Sequence, residues 1–155
     1  MSWKPALLNR WLGDQSGAGA VEIALVAPIL LLLLTGAIEI GSLAWTQMQV
    51  GAAARAGASY ALSRGFSTSA ISGAVTSATN LTVTVSPSPT QSYGCPNAST
   101  GVTTAGVTST TVCASGLTAG KYVTVGATAT YTPLFSLPFL ASPVALSSTT
   151  VVRIP

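Results

Sequence analysis

The sequence predicts an α+β protein in which a long N-terminal transmembrane helix precedes a small exterior domain with a short helix and an antiparallel sheet of about three strands. Two observations carry this prediction. Residues 23–38 hold no charged side chain and lie inside a longer apolar stretch that reaches the ~20 residues needed to span a bilayer. After Gly65 the composition changes to Ser, Thr, Gly and Val, with apolar and polar residues alternating as they do in strands.

Four segments are predicted along the chain. They are a cytoplasmic leader (1–17), a transmembrane helix (18–45), an extension of that helix outside the membrane (46–65) and an exterior strand-rich domain (66–155). Residues 46–61 are strong helix formers without proline, so we expect one continuous helix to about Ala61, with Arg64 and Gly65 as the stop signal.

The leader admits two interpretations. Trp3, Leu7 and Trp11 recur at fourfold spacing, which favours a short helix lying on a membrane surface. The alternative is the disordered basic region of a secretory signal.

The long helix carries pairs of small residues that are four positions apart. This spacing predicts close packing against another helix, although alanine also simply favours helix. The pairs are Ala37 with Gly41, Ala53 with Gly57, and Ala54 with Ala58. Pro28 lies inside the apolar stretch, where a kink is expected.

The exterior domain is expected to contain a short helix at 69–78 and strands at 81–85, 122–131 and 144–154. A glycine- and threonine-rich connection joins the first two strands. In the second strand, four apolar residues alternate and share one face: Val123, Val125, Ala127 and Ala129.

Composition excludes several classes of function. A mean hydropathy of +0.59 with 6% charged residues indicates a membrane or secreted protein. The six Lys and Arg residues are spread along the chain, which argues against nucleic-acid binding. The chain has no histidine, and its carboxylates are Asp14, Glu22 and Glu39, so neither a general acid/base pair nor a metal-ligand set can be assembled. We therefore expect a protein that is not an enzyme and binds no cofactor; a Ser-Lys hydrolase is the weak alternative.

Cys95 and Cys113 are the only cysteines and bracket a stretch with little apolar bulk. Their even number in an exterior domain predicts a disulfide, worth ~3 kcal/mol by loop closure. Cations flank the apolar stretch on both sides, so charge alone does not orient the chain. The cysteine pair places the C-terminal domain outside and the leader inside.

Glu39 lies in the second half of the hydrophobic run. One interpretation is a side chain that reaches toward the outer interface of the membrane. The other is an assembly role, in which the carboxylate pairs with a cation or donor on a partner subunit, because an isolated charge in lipid is costly.

Three short sequence features follow one another along the N-terminal part of the chain. They are Gly17-Ala18-Gly19-Ala20-Val21-Glu22 before a leucine run that contains Pro28, then Ile38-Glu39-Ile40-Gly41, then Ala52-Ala53-Ala54-Arg55-Ala56-Gly57-Ala58. In these features, residues 17–64 resemble the TadE-like family of pilus-assembly proteins. The family consists of minor pilins, or pseudopilins, of the tight-adherence (Flp) pilus, which is related to type IV pili.

The resemblance implies roles for three residues. Gly17 would precede the cut made by a prepilin peptidase, Ala18 would become the new amino terminus, and Glu22, its fifth residue, would serve in maturation or assembly. The implied partners are other pilins, the prepilin peptidase, an inner-membrane assembly platform and membrane lipid. Family members usually have an aromatic residue where this chain has Ile23. The long extension after Gly65 favours a minor subunit, because major pilins of this system are little more than the helix.

A second hypothesis comes from a different class of protein. The chain would be a secreted β-rich binding or adhesive protein whose conventional signal is removed after Ala44. Its mature form would begin at Trp45, whereas the pilin would begin at Ala18.

Overall fold

The computed structural model describes residues 16–99, 101–135 and 143–155. The predicted leader lies outside these residues except for Ser16 and Gly17. The described elements are helices α1 (Ser16–Arg64) and α2 (Thr68–Thr76) and strands β1 (Thr90–Asn97), β2 (Gly101–Thr103), β3 (Gly120–Tyr131) and β4 (Val144–Ile154). The predicted class is confirmed: a long apolar helix, a short helix and an antiparallel sheet.

The chain divides into two compact units, Met1–Ile40 and Gly41–Pro155. The described part of the first unit is the N-terminal half of α1. The second unit contains the rest of α1, α2 and the whole sheet.

The sheet has the strand order β2-β1-β3-β4, with every neighbouring pair antiparallel. Strands β3 and β4 pair without interruption from Lys121 opposite Ile154 to Tyr131 opposite Val144. The shared apolar face predicted for β3 is confirmed, since all four alternating residues belong to the buried core: Val123, Val125, Ala127 and Ala129.

Small residues on α1 let this helix pack closely against α2 and β3. A Cβ atom added at Gly57 would lie 2.5 Å from Cγ2 of Val75 in α2 and 2.9 Å from Cγ1 of Val125 in β3. Any side chain at this position would therefore push the elements apart. Val50, on the same half of α1, is fully buried.

Helix α1 ends where the sequence placed its stop signal. The Gly65 N–H donates to the Ala61 carbonyl at 3.0 Å, and Gly65 has a φ of +82°, a conformation that glycine adopts without strain. The helix thus continues to Arg64, slightly beyond the expected end near Ala61.

The strand predicted at 81–85 is wrong as an element. Only Thr84 pairs, in an isolated bridge in which Thr84 and Thr128 exchange two backbone hydrogen bonds of 2.8 Å. The chain then passes so close to β3 that a Cβ at Gly126 would overlap Ser86 and Pro87. Because proline has no N–H, the ladder does not continue along this path.

The connection predicted before the second strand was also wrong in part. It contains β1 and β2, which form an antiparallel pair with Cys95 opposite Thr103. Strand β1 lacks the alternation of β-branched residues on which the prediction depended and includes Gly94 and Pro96. The sheet therefore has four strands where about three were expected.

Candidate functional site

The N-terminal half of α1 carries large apolar side chains that are exposed in the structure. Their exposed fractions run from 46% at Val26 to 70% at Leu25 and Ile40. A helix that is apolar all round needs an apolar environment. Residues Gly19–Arg64 contain a stretch long and apolar enough to cross a membrane, so this segment is a candidate membrane span.

The polar groups of this segment fit such an environment. Backbone N–H groups in the middle of a helix bond within it, as a bilayer requires, except at Pro28, which has no N–H to donate to the carbonyl of Ala24. The Thr35 hydroxyl donates to the Leu31 carbonyl at 2.8 Å, which satisfies the hydroxyl inside the helix.

Glu22 is the exception. It is exposed on α1, and it is the only charged residue of the sequence between Ser16 and Ile38. Helix α1 has no acidic residue in its first turn, so this carboxylate stands apart from the start of the described helix. A lone carboxylate at the end of an apolar segment costs free energy in lipid and is therefore a candidate functional group.

The proposed processing site lies in the first residues of α1. Gly17 is exposed, and no atom lies within 4 Å of the place where its Cβ would be. The fold therefore does not require glycine at this position. Gly19, two residues further on, is equally open.

Glu39 is 1% exposed. The two interpretations from the sequence, a side chain that reaches toward the outer interface and a carboxylate that pairs with a partner subunit, both remain predictions. Its side chain is not without an interaction partner. No local pattern in the sequence signals this burial.

The small-residue pairs have separate environments. Ala53, Ala54, Gly57 and Ala58 are buried within the second unit, so two of the three pairs pack inside this chain. Gly57 faces α2, which agrees with the helix packing predicted for its pair. Ala37 and Gly41 are exposed.

Cys95 and Cys113 lie at the distance of a disulfide, with Cα atoms 5.5 Å apart. Cys95 is on β1, and Cys113 belongs to a loop in which its N–H donates to the Leu117 carbonyl at 2.8 Å. The pair therefore ties this loop to the sheet. Among the described residues, no group of three or more His, Cys, Asp or Glu side chains could hold a metal ion.

These features define a class of protein: a candidate membrane-anchored chain with one N-terminal apolar helix and an α+β domain after it. The family model for TadE-like protein matches residues 17–59. The resemblance drawn from the sequence is confirmed over these residues, which lie in α1. No curated protein and no solved structure matches the chain. The TadE-like family is associated with the Tad pilus system and is not an enzyme family.

Proposed function

We propose that this chain is a minor pilin-like subunit for assembly of a tight-adherence (Flp) pilus. The observation that carries the proposal is Glu22, an exposed carboxylate five positions after Gly17 and the only charged side chain in residues 16–38 of α1. The family match over residues 17–59 covers both residues.

In this proposal, a prepilin peptidase cuts between Gly17 and Ala18 at the cytoplasmic face. The apolar half of α1 lies in the bacterial inner membrane. Residues 1–17 are in the cytoplasm before the cut, and the C-terminal domain is outside the cytoplasm. Trp45, which is 63% exposed, would lie at the outer interface, where tryptophan is enriched. The cysteine pair supports the exterior position because disulfides persist in oxidising compartments.

After the cut, the amine of Ala18 and the carboxylate of Glu22 lie about one helical turn apart. At the lipid boundary, an unpaired positive amine and an unpaired negative carboxylate each cost free energy. Glu22 of one subunit can neutralise the amine of a neighbouring pilin during assembly, while the apolar surface of α1 contacts lipid and other pilin helices.

The first experiment is mass spectrometry of the mature amino terminus. We expect wild-type protein to begin at Ala18, and we expect Gly17→Leu to accumulate as full-length precursor because the peptidase requires a small residue before the cut. Gly19→Leu is the matched control, since both glycines are equally free of neighbours and the fold tolerates leucine at either. A wild-type protein that retains Met1 would contradict the proposal. A mature form that begins at Trp45 would instead support the secreted binding protein.

The second experiment tests Glu22. We expect Glu22→Ala and Glu22→Gln to enter the membrane normally but to lose capture of other pilins, because removal of one charge of a buried pair costs a few kcal/mol. Glu22→Asp retains the carboxylate and should retain part of the capture. Co-purification with the other pilins and surface pilus counts give the readout, and normal values for both neutral variants would refute the role of Glu22.

A further inference from the structure

The end of strand β3 lies against the part of α1 where the candidate membrane span ends. The hydroxyl groups of Ser42 on α1 and of Tyr131, the last residue of β3, are hydrogen-bonded to each other. A hydrocarbon core of ~30 Å takes about 20 helical residues, so a span that begins directly after Glu22 ends near Ser42. For α1 in a membrane, this bond places the end of β3 at the level of the bilayer boundary.

Strand β3 runs toward this boundary. Near its middle, Val125 faces Gly57, since a Cβ atom added at Gly57 would lie 2.9 Å from Cγ1 of Val125. At its end, Tyr131 is bonded to Ser42, which comes earlier on α1. The strand and the helix are therefore antiparallel. The connection from β3 to β4 thus lies at the end of the second unit that contains Gly41, its first residue.

The connection from β3 to β4 begins with large apolar side chains that face outward. Leu134 is 72% exposed and Phe135 is 51% exposed, and both follow shortly after Tyr131 in the sequence. No residue between Lys121 and Arg153 is charged, so the sequence places no charge on this connection. Adjacent exposed apolar side chains of this size mark a surface that contacts a partner or a membrane.

We propose that Leu134 and Phe135 insert into the outer leaflet of the same membrane that α1 spans, as a second lipid contact of this chain. The occupant follows from the position: lipid surrounds α1 at the level of Ser42, and the connection starts beside that residue. Leucine and phenylalanine are side chains that enter the boundary between headgroups and acyl chains. Trp45, about one turn further along α1, lies at the same interface, where tryptophan is enriched.

The second contact limits how far the C-terminal domain can tilt relative to the membrane surface. A single helix in a bilayer can rotate about its own axis and change its tilt, and interfacial anchors are what restrict both motions. Leu134 and Phe135 supply such an anchor away from the axis of α1, on the sheet. This inference rests on the proposed membrane position of α1 but not on the pilus role.

The test measures contact with lipid in the full-length protein, purified and reconstituted in vesicles of phosphatidylethanolamine and phosphatidylglycerol. Leu134→Cys is labelled with a bimane fluorophore, and its quenching by lipids that carry a nitroxide near the headgroup is recorded. Because a nitroxide quenches only fluorophores that come close to it, we expect Leu134→Cys to lose fluorescence. Leu134 starts from an exposed position, so the substitution preserves folding.

Leu117→Cys is the matched control. Leu117 is 66% exposed, and it lies in the loop before β3, so the 12 residues of β3, at ~3.3 Å each, separate it from the connection to β4. We therefore expect no quenching at Leu117→Cys. Wild-type protein treated with the same fluorophore gives the background from Cys95 and Cys113.

A third label, on Leu31→Cys in the apolar half of α1, separates this inference from the proposed function; a nitroxide deep in the acyl chains should quench it. Quenching at Leu31→Cys without quenching at Leu134→Cys overturns the second lipid contact alone. No quenching at either position overturns the membrane position of α1 as well. Equal quenching at Leu134→Cys and Leu117→Cys also contradicts the inference. So does protection of Leu134→Cys from a water-soluble maleimide without quenching, because a second copy of the chain would then be the occupant.

Discussion

The two halves of helix α1 differ in which side chains are exposed and which are buried. In residues 16–40 the large apolar side chains are exposed. In residues 41–64 one face is buried, and it is built from small residues, among them Ala53, Ala54 and Gly57. Bulk is thus placed where the chain does not pack on itself, and small side chains are placed where it does. The same helix thus has one half suited to an apolar environment, as a candidate membrane span, and one half suited to close protein packing.

The largest effect should come from charges in the first half. Leu31 and Leu33 are 62% and 61% exposed, so Leu31→Arg/Leu33→Arg removes no packing from the second unit. At the centre of a membrane span each arginine costs about 2.5–3.5 kcal/mol, so we expect membrane insertion to fail. Alkaline extraction and protease protection of membranes measure whether the variant protein is inserted.

The control places the same charges on the exposed side of the second half, at Ala52 and Ser59. Ala52→Arg/Ser59→Arg should insert like wild type. If the leucine variant also inserted normally, the first half of α1 would not be a membrane span.

The next effect should act on the second unit alone. Cys95→Ser/Cys113→Ser should lower the free energy of unfolding of the C-terminal domain by about 3 kcal/mol, because the loop between the cysteines is no longer closed. Insertion through residues 16–40 should not change. Protease resistance of the domain gives the stability, and non-reducing peptide mapping of the wild type shows the bond. Two free thiols in exported protein would refute the bond and weaken the exterior assignment.

The smallest effect compares two glycines of the second half. Gly57→Ala should destabilise the domain by about 1–3 kcal/mol, because the new Cβ would lie 2.5 Å from the Val75 side chain. Gly51→Ala should stabilise it by up to ~1 kcal/mol, since the nearest atom would be Ser148 Oγ at 3.8 Å and alanine favours helix. Thermal unfolding of the two variants decides this, and equal shifts would show that the close approach at Gly57 is not rigid.

Elements with a strong local pattern could be predicted from the sequence. Strand β4 was expected at 144–154 and has these bounds, and the end of α1 followed from Arg64 and Gly65. The features that failed depend on long-range pairing. The alternation at 81–85 is real, but only Thr84 finds a partner because the chain next crosses Gly126. The pairing of β1 with β3 is set by tertiary contacts that its own residues do not reveal.

The candidate site shows the same division. Glu22 and Gly17 could be selected from the sequence through the resemblance to the TadE-like family, and both are exposed among the described residues. The burial of Glu39 could not, because burial depends on neighbours that helical periodicity does not specify.

The position of the Gly17–Ala18 bond inside α1 has an electrostatic consequence. A cut there would put a new positive amine on the first residue of the helix, where the aligned peptide dipoles already present positive potential. The amine and the positive end of the helix dipole repel each other. This repulsion costs a few tenths to ~1 kcal/mol near the surface of a protein, and more in a less polar environment. Besides the amine of Ala18, the backbone N–H groups of Gly19, Ala20 and Val21 would then lack a helical partner, and Glu22 is the nearest anion in the sequence. Such a cut would concentrate positive potential at one helix end, where a carboxylate from the same chain or from a neighbour would be stabilising.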